Sequence, residues 1–265
     1  MKLTNEKRLG NVRVYNPAQA KAYIGALGDI RDDEGKGTPA RTNMSAAKLW
    51  YKLDEAAAPL INSGSGGPHD LAYDALNSNG QATFHDATGL FGNCMNFTSA
   101  HNHCGYLLRT DDSAWNGANM TLWWWVKPIA DFSAHNQWGW GHYVWNGGNG
   151  FYMEVTNTSA FYLNYSGTFG NNHVQSADNA ITYALPHLLA ATYDGANLTG
   201  YIDGAPVINL GLVGTMQLDP GGDWTLGCRT DVSAYHVPGQ YMECGFNTTT
   251  FTAAQLLAMY HKGNP

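Results

Sequence analysis

The residues best suited to chemistry lie in one aromatic segment beside a turn rich in glycine and asparagine. Aromatic rings have apolar faces that pack on flat ligands, and asparagine amides both donate and accept hydrogen bonds. The resulting candidates for binding a sugar are Trp138, Trp140, His142, Tyr143, Trp145, Asn146 and Asn149. The competing interpretation assigns one alternating set of these rings to a buried core, because large aromatics bury well.

Carboxylates and histidines suggest two weak metal-site hypotheses. The candidate oxygen ligands for calcium are Asp70, Asp74 and Asp86, which form no recognised calcium-binding loop. His101 and His103 would share a strand face beside Cys104, but two ligands do not define a zinc site. We therefore expect no cofactor, and calcium is the better supported of the two ions.

The acidic residues predict no catalytic centre. Asp54 and Glu55 are adjacent, as are Asp111 and Asp112, and adjacent residues of a strand point to opposite faces. Glycosidases instead need two carboxylates that flank one bond. The sequence also has no nucleophile elbow, zinc-protease helix motif or phosphate-binding loop. We expect a protein without enzymatic activity.

Short strands must position these side chains. From residue 48 onward, runs with a strand period alternate with turn signals. The first run has Leu49, Tyr51 and Leu53 on one face. Further runs cover residues 94–97, 106–109, 120–127, 141–145, 151–155, 160–165, 187–193, 198–202, 224–228 and 240–246. We predict an all-β sandwich of antiparallel sheets, with Trp123, Trp124 and Trp125 in the core.

One helix is predicted at the end of the chain. Thr252 is a suitable N-cap, Gln255 completes a capping box, and Phe251 can pack on Leu256. The predicted apolar face of this helix is Ala253, Leu256, Leu257 and Tyr260.

The first 47 residues differ in charge from the rest of the chain. They hold 8 Lys or Arg against 5 Asp or Glu, net +3, whereas residues 48–265 hold 6 against 16, net −10. This polar segment cannot build its own core, so we interpret it as an N-terminal docking arm, with a short helix near residues 17–30. The candidate docking residues are Arg8, Arg13, Tyr15, Tyr23, Ile24 and Leu27.

Length and composition exclude several classes of protein. The chain has 265 residues, of which 44% are hydrophobic and 13% charged, so it is not intrinsically disordered. No stretch approaches the roughly 20 apolar residues of a membrane span, and residues 1–23 do not resemble a secretion signal. The basic residues of the arm are too scattered to predict nucleic-acid binding. The four cysteines could pair, as Cys94 with Cys104 and Cys228 with Cys244, but we expect free thiols.

Two sequence blocks carry a resemblance to a known family. Residues 186–195, ending in Thr-Tyr-Asp-Gly, and residues 198–204, ending in Tyr-Ile-Asp-Gly, resemble the paired strands of laminin-G-like domains. Residues 49–55, 92–97, 120–128 and 252–263 follow the same pattern, whereas residues 242–247 lack the aspartates that the family often has there. The resemblance covers about residues 48–264 and implies the jelly-roll sandwich of the concanavalin A-like lectin/glucanase fold. It also implies that calcium, if bound, would lie at the rim of the sandwich.

The resemblance and the arm together suggest two functions. Laminin-G-like domains mostly act outside cells, yet no export signal is visible here. Our leading hypothesis is a bacteriophage virion surface protein, a head-decoration or fibre-like component assembled in the host cytoplasm. It would dock on capsid proteins or on its own copies through residues 1–47 and display the domain of residues 48–265. The alternative is an extracellular glycan-binding lectin or adhesin that binds a cell-surface glycan.

Overall fold

The computed structural model describes residues 7–9, 12–14, 44–67, 69–73, 83–97, 106–109, 112–128, 137–143, 150–218, 222–227 and 238–263. They form three antiparallel sheets of two, seven and eight strands, followed by one helix. The strands are β1 (Lys7–Leu9), β2 (Val12–Val14), β3 (Leu49–Tyr51), β4 (Ala72–Tyr73), β5 (Thr83–Gly89), β6 (Gly92–Phe97), β7 (Tyr106–Arg109), β8 (Met120–Pro128), β9 (Gln137–Tyr143), β10 (Phe151–Val155), β11 (Phe161–Gly167), β12 (Gly170–Gln175), β13 (His187–Tyr193), β14 (Asn197–Ile202), β15 (Ala205–Gly211), β16 (Asp223–Leu226) and β17 (Gly239–Asn247). The helix is α1 (Ala253–Gly263).

Two large sheets pack face to face as the predicted sandwich. The seven-stranded sheet has the order β12-β11-β10-β9-β16-β7-β4, and the eight-stranded sheet has the order β15-β14-β13-β8-β17-β6-β5. The eighth strand of the second sheet is β3, which pairs with β17 outside that order. Strands that are adjacent in sequence pair as hairpins, such as β14 and β15 across the two-residue turn Asp203-Gly204, a sequence that favours a tight hairpin turn.

Tryptophans from both sheets fill the space between them. Trp124 of β8, Trp140 of β9 and Trp224 of β16 are fully buried. The rings of Trp140 and Trp224 stack with their centroids 5.4 Å apart. The indole Nε1 of Trp140 donates to the carbonyl oxygen of Gly245 at 3.0 Å, which satisfies a polar group that burial would otherwise destabilise.

A second hydrophobic cluster covers the outer face of the eight-stranded sheet. It contains Trp123 and Trp125 of β8, which alternate with Trp124. Phe251 stacks on Trp123, and Tyr260 of α1 stacks on Trp125 with an interplanar angle of 13°. Because both faces of this sheet are covered, the prediction that all three tryptophans are buried is confirmed.

The capping box of α1 is confirmed, but its predicted apolar face is partly wrong. The backbone N–H of Thr252 donates to Gln255 Oε1 at 2.8 Å, and the N–H of Gln255 donates to Thr252 Oγ1 at 3.2 Å. Leu256 and Met259 are buried, whereas Ala253 and Leu257 are exposed. The helix packs on the sheet through Leu256, Met259 and Tyr260. This stripe shares Leu256 and Tyr260 with the predicted face, but Met259 takes the place of Ala253 and Leu257.

The last residues of the arm are anchored on the same side of the sandwich as α1. Met44 and Ala47 are buried in the second cluster with Trp50. Asn62 Nδ2 donates to the carbonyl oxygen of Lys48 at 3.2 Å and holds this segment against the next loop. The arm is therefore joined to the sandwich on the outer side of the eight-stranded sheet.

Besides residues 44–47, the part of the arm that the structure describes is a hairpin. Strands β1 and β2 pair with Lys7 opposite Val14, Arg8 opposite Arg13, and Leu9 opposite Val12. The sequence analysis did not predict this hairpin. The predicted helix near residues 17–30, with the docking candidates Tyr15, Tyr23, Ile24 and Leu27, lies outside the described residues.

The two described cysteines are free thiols. Cys94 lies in the second cluster, on the outer face of the eight-stranded sheet, whereas Cys244 lies between the sheets. Cys104 and Cys228 lie outside the described residues. Within the part of the chain that the structure describes, we find no helix long and apolar enough to cross a membrane.

Candidate functional site

The candidate site is a polar and aromatic surface on the outer side of the seven-stranded sheet. Alternation produces it, since Phe151, Met153 and Val155 of β10 pack into the core and the residues between them point outward. The same rule applies to β11 and β12. We call this surface the β10–β12 face, and it consists of Tyr152, Glu154, Tyr162, Asn164, His173 and Gln175.

Strand register brings these side chains together. Tyr152 lies opposite Asn164, and Glu154 lies opposite Tyr162, between β10 and β11. Between β11 and β12, Asn164 lies opposite His173. Side chains that face each other across antiparallel strands are about 5 Å apart at Cβ, so the face is one continuous patch.

Two stacked rings form the most prominent feature of the β10–β12 face. The rings of Tyr162 and His173 have centroids 5.0 Å apart and an interplanar angle of 20°. Tyr162 is half-buried and His173 is exposed. Because each ring covers one side of the other, the pair presents its outer ring faces and its edges, which carry polar atoms.

A buried carboxylate lies next to the ring pair. Glu154 is 6% exposed, and Asn164 Nδ2 donates to its Oε1 at 3.4 Å. Burial, reinforced by the negative charge of Glu154, raises the pKa of Tyr162 to about 12. At neutral pH, Tyr162 is therefore a neutral phenol that can donate a hydrogen bond.

The outer side of this sheet does not hold a glycosidase-like carboxylate pair in its described strands. Besides Glu154, it carries Asp223 of β16, whose neighbour Trp224 packs into the core. Glu154 pairs with Trp138 of β9 and Asp223 pairs with Tyr143. Because Gly139 of β9 has no partner in β10, four paired positions separate the two acids, about 13 Å along the strands and about 10 Å across them. Glycosidase pairs are only about 5–9.5 Å apart.

The predicted glycan candidate Trp140 is in the core, so that prediction was wrong. Its burial, its stacking on Trp224 and its hydrogen bond to Gly245 remove it from any ligand surface. The physical reason is a bulge at Gly139: Trp140 pairs with Met153 and Trp138 pairs with the next residue, Glu154. The spacing of two residues therefore does not give a shared face here.

His142 also belongs to the core rather than to a surface. It is fully buried, and its ring lies edge-on to Trp224 with centroids 5.3 Å apart. The backbones of Trp138 and Tyr143 lie in β9, but their side chains are outside the described part. Trp145, Asn146 and Asn149 also lie outside the described residues, so their role stays a prediction.

The metal candidates are not brought together as ligands. Asp70 Oδ1 accepts the backbone N–H of Asn62 at 2.9 Å, and Asp86 Oδ2 accepts Asn96 Nδ2 at 2.9 Å. Among the described residues, no group of three or more His, Cys, Asp or Glu side chains could hold a metal ion. Asp74 lies outside these residues, as do His101, His103 and Cys104.

A second polar cluster is internal to the fold. Asp112 is 3% exposed, accepts Trp224 Nε1 at 2.5 Å and lies 3.5 Å from His69 Nε2. The His69 ring lies against Trp115, with centroids 5.2 Å apart. These contacts hold the loops at the sandwich edge on the core, and we interpret the cluster as structural.

The residues of the β10–β12 face were not among the predicted site residues. The signal was present for Tyr152, Glu154, Tyr162 and Asn164, because they are the outward positions of two predicted strands. No such signal marked His173, since β12 reads Gly-Asn-Asn-His-Val-Gln and lacks an apolar alternation.

Comparison with known structures shows a shared sandwich at low sequence identity. The binding domain of botulinum neurotoxin serotype G is 11% identical with a TM-score of 0.57, covering 81% of this chain and 50% of that chain. The receptor-binding domain of the mosaic serotype C/D toxin is 10% identical with a TM-score of 0.59, covering 83% and 51%. A Trypanosoma rangeli sialidase is 11% identical with a TM-score of 0.57, covering 91% and 37%. The chain thus spans about half the length of the toxin chains that it matches.

Comparison with sequence families gives a more specific result. A search among curated proteins finds no match. Residues 105–256 match a laminin G family model, described as the concanavalin A-like lectin/glucanases superfamily. This match includes both Asp-Gly turns, the β8 tryptophans and the whole β10–β12 face. The chain belongs to the concanavalin A-like lectin/glucanase superfamily, in its laminin G branch.

Proposed function

We propose that this protein is a non-catalytic recognition protein that binds a glycan on the β10–β12 face. The observation that carries the proposal is the stacked pair of Tyr162 and His173 beside the amide of Asn164. A sugar ring has an apolar face that can pack on such a pair and hydroxyls that Asn164 and Gln175 can hydrogen-bond. The toxin chains of similar fold are described as binding domains, which agrees with a binding role.

The absence of catalysis is part of this proposal. The wide separation of Glu154 and Asp223 supports it, because neither inverting nor retaining hydrolysis can use carboxylates so far apart. A panel of β-glucans and sialosides incubated with the protein should release no reducing sugar. Hydrolysis that is lost in Glu154→Gln would contradict a purely binding role.

A glycan array with ring variants tests the binding site. Tyr162→Ala and His173→Ala should each weaken binding about two- to twelvefold, since aromatic stacking contributes about 0.5–1.5 kcal/mol beyond burial. His261→Ala is the matched control, because His261 lies on α1 on the opposite side of the sandwich. Equal binding by all three variants would refute the proposal, as would a folded natural protein that binds no glycan on the array.

As a second candidate, we propose that the sandwich is displayed on a particle such as a bacteriophage virion. Residues 1–47 would dock on capsid proteins or on other copies of the chain. The favouring observation is geometric: Met44 and Ala47 anchor the arm on the eight-stranded side, and the β10–β12 face lies on the other side. A docked arm would therefore leave the face free. The host cytoplasm as the place of assembly, with an extracellular location as the alternative, belongs to this proposal.

Incorporation into particles tests the second candidate. A chain without residues 1–43 keeps every residue of both hydrophobic clusters and should fold. We expect this chain to be missing from purified particles, while the full chain is present. Full incorporation of the truncated chain, or particles that never contain the protein, would refute the docking role.

A further inference from the structure

The edge of the seven-stranded sheet at β12 points to a contact between two copies of the chain. We propose that β12 pairs antiparallel with β12 of a second copy, so that two seven-stranded sheets join into one. The pairing itself does not depend on glycan binding. Its consequence for glycan binding, given last, rests on the proposed function.

The backbone of β12 presents hydrogen-bonding groups on the side away from β11. In the part of the chain that the structure describes, β12 is the terminal strand of its sheet, and five of its six residues are exposed. The backbone N–H of Ser176 donates to the carbonyl oxygen of Phe161 at 2.8 Å, and β12 continues this register along β11 without a bulge. Because hydrogen-bonded pairs alternate in an antiparallel ladder, Val174 bonds to β11, whereas the backbone groups of His173 and Gln175 point outward.

A side-chain contact agrees with this orientation of His173. Its backbone N–H donates to Oδ1 of Asn172, the residue before it, at 2.9 Å. The donor therefore lies on the outer edge, where the carbonyl oxygen of a neighbouring strand can replace the amide oxygen of Asn172. Pairing would exchange this hydrogen bond for a backbone one, at little net change in free energy, and would add the bonds of Gln175.

The strands at this edge lack the charges that commonly keep sheet edges apart. Residues 156–177, which supply β11 and β12, contain no lysine, arginine, aspartate or glutamate. Residues 48–265 as a whole hold 6 Lys or Arg against 16 Asp or Glu, so two copies repel each other least where uncharged edges meet. An exposed edge strand without charge, proline or bulge is a template for pairing. A second copy fits it, because an edge paired with itself closes as a two-fold dimer.

The neighbouring edge strand β15 has the protection that β12 lacks. Leu163 of β11 lies 3.1 Å from the position that a Cβ atom of Gly200 in β14 would take, so β12 and β15 are at the same edge of the sandwich. In β15, Pro206 pairs with one residue of β14 and Ile208 with the preceding one, which leaves Val207 as a bulge. Proline and bulges hinder edge-to-edge pairing. The contact therefore belongs to β12.

Pairing at β12 would place two β10–β12 faces side by side. Antiparallel strands of two copies are related by a two-fold axis perpendicular to the joined sheet, so the outer faces of both copies point to the same side. Resting on the proposed function, the dimer is a bivalent glycan-binding surface. Avidity then holds it on a surface that carries many copies of the glycan.

Light scattering of the full chain over a range of concentrations tests the pairing. One six-residue strand from each copy makes an interface below the standard size, so we expect a weak dimer with a Kd of about 10–100 μM. Asn172→Lys should raise this Kd at least about tenfold, because a charge on the edge opposes pairing. Asn209→Lys is the matched control, since it adds the same charge at an exposed asparagine of β15. If Asn172→Lys does not fold, Gln175→Pro replaces it, because this variant removes an outward N–H and no bond to β11.

The possible results separate the dimer from glycan binding. A chain that stays monomeric at about 500 μM would overturn the pairing, as would a dimer that the β12 variant and its control weaken equally or not at all. On a glycan-coated surface, Asn172→Lys should dissociate at least about tenfold faster than Asn209→Lys. Equal dissociation rates would overturn the bivalent role and leave the dimer standing. A dimer that binds no glycan would overturn the proposed function alone.

Discussion

Gly139 is the position at which the account of the sheet can be tested most sharply. It lies in the β9 bulge that separates Trp138 from Trp140 in the register. A Cβ atom built on Gly139 would lie 2.2 Å from one carbon of the Trp124 ring and 2.6 Å from two others. Carbon atoms in contact are normally about 3.5–4.0 Å apart. Alanine at this position must therefore displace the Trp124 ring by more than about 1 Å.

The surroundings of Trp124 set the size of the effect. The ring is fully buried, and its centroid lies 4.9 Å from that of Tyr241, so it has little room to retreat. Overpacking of this kind costs about 1–3 kcal/mol and occasionally more. We expect Gly139→Ala to lower the free energy of unfolding by about 3 kcal/mol and the melting temperature by about 6–12 °C.

Urea denaturation followed by tryptophan fluorescence measures this change. Gly211→Ala is the matched control, because a Cβ on Gly211 of the edge strand β15 meets no atom within 4 Å. We expect that control to stay within about 0.5 kcal/mol of the natural chain. Equal stability of Gly139→Ala and Gly211→Ala would refute the reasoning about the bulge and its contact with Trp124.

Other variants test the remaining contacts. Trp140→Phe should lower the free energy of unfolding in urea by about 2 kcal/mol, because it removes a buried hydrogen bond and part of the ring area. The variant should keep full glycan binding on the array, and weaker binding would indicate that Trp140 belongs to the binding site. Thr252→Ala should destabilise the chain by about 1 kcal/mol, and no change would contradict the capping box. The pKa of Asp194 is lowered mainly by the hydrogen bond that its carboxylate accepts from the backbone N–H of Ala196. The ionised Asp194 side chain therefore stabilises the fold at pH values above its unfolded pKa of 3.8, and this stabilisation is lost as pH falls through the folded pKa. Asp194→Ala should therefore destabilise the chain more at pH 6 than at pH 2.5, and an equal effect at both pH values would contradict that assignment. Burial raises the pKa of Cys244, so a thiol reagent should label it only after unfolding, and rapid labelling of the native chain would argue against its burial.

The sandwich could be predicted from the sequence because its local signals agree with one another. The first strand showed its alternation at Leu49 and Tyr51, and α1 showed its capping box at Thr252 and Gln255. The run Trp123–Trp125 gave no alternation, but its aromatic character already indicated burial. The second hydrophobic cluster explains that run, because α1 covers the outer face of the eight-stranded sheet, which would otherwise be exposed to solvent.

The site was harder to predict because it depends on register between strands. The bulge at Gly139 puts Trp138 and Trp140 opposite consecutive residues of β10, and nothing in the β9 sequence alone specifies that Gly139 is the residue left without a partner. His173 meets Tyr162 only through the pairing of β11 with β12. Composition drew attention to the tryptophans, whereas the surface that they support is lined by tyrosine, histidine and amides.

A crystal structure of the protein with the tightest-binding glycan from the array would test the central claim most directly. The account predicts a sugar ring packed on the outer face of the Tyr162 or His173 ring, with its hydroxyls in hydrogen-bond distance of Asn164 or Gln175. A sugar bound elsewhere on the sandwich, with the β10–β12 face unoccupied, would contradict it.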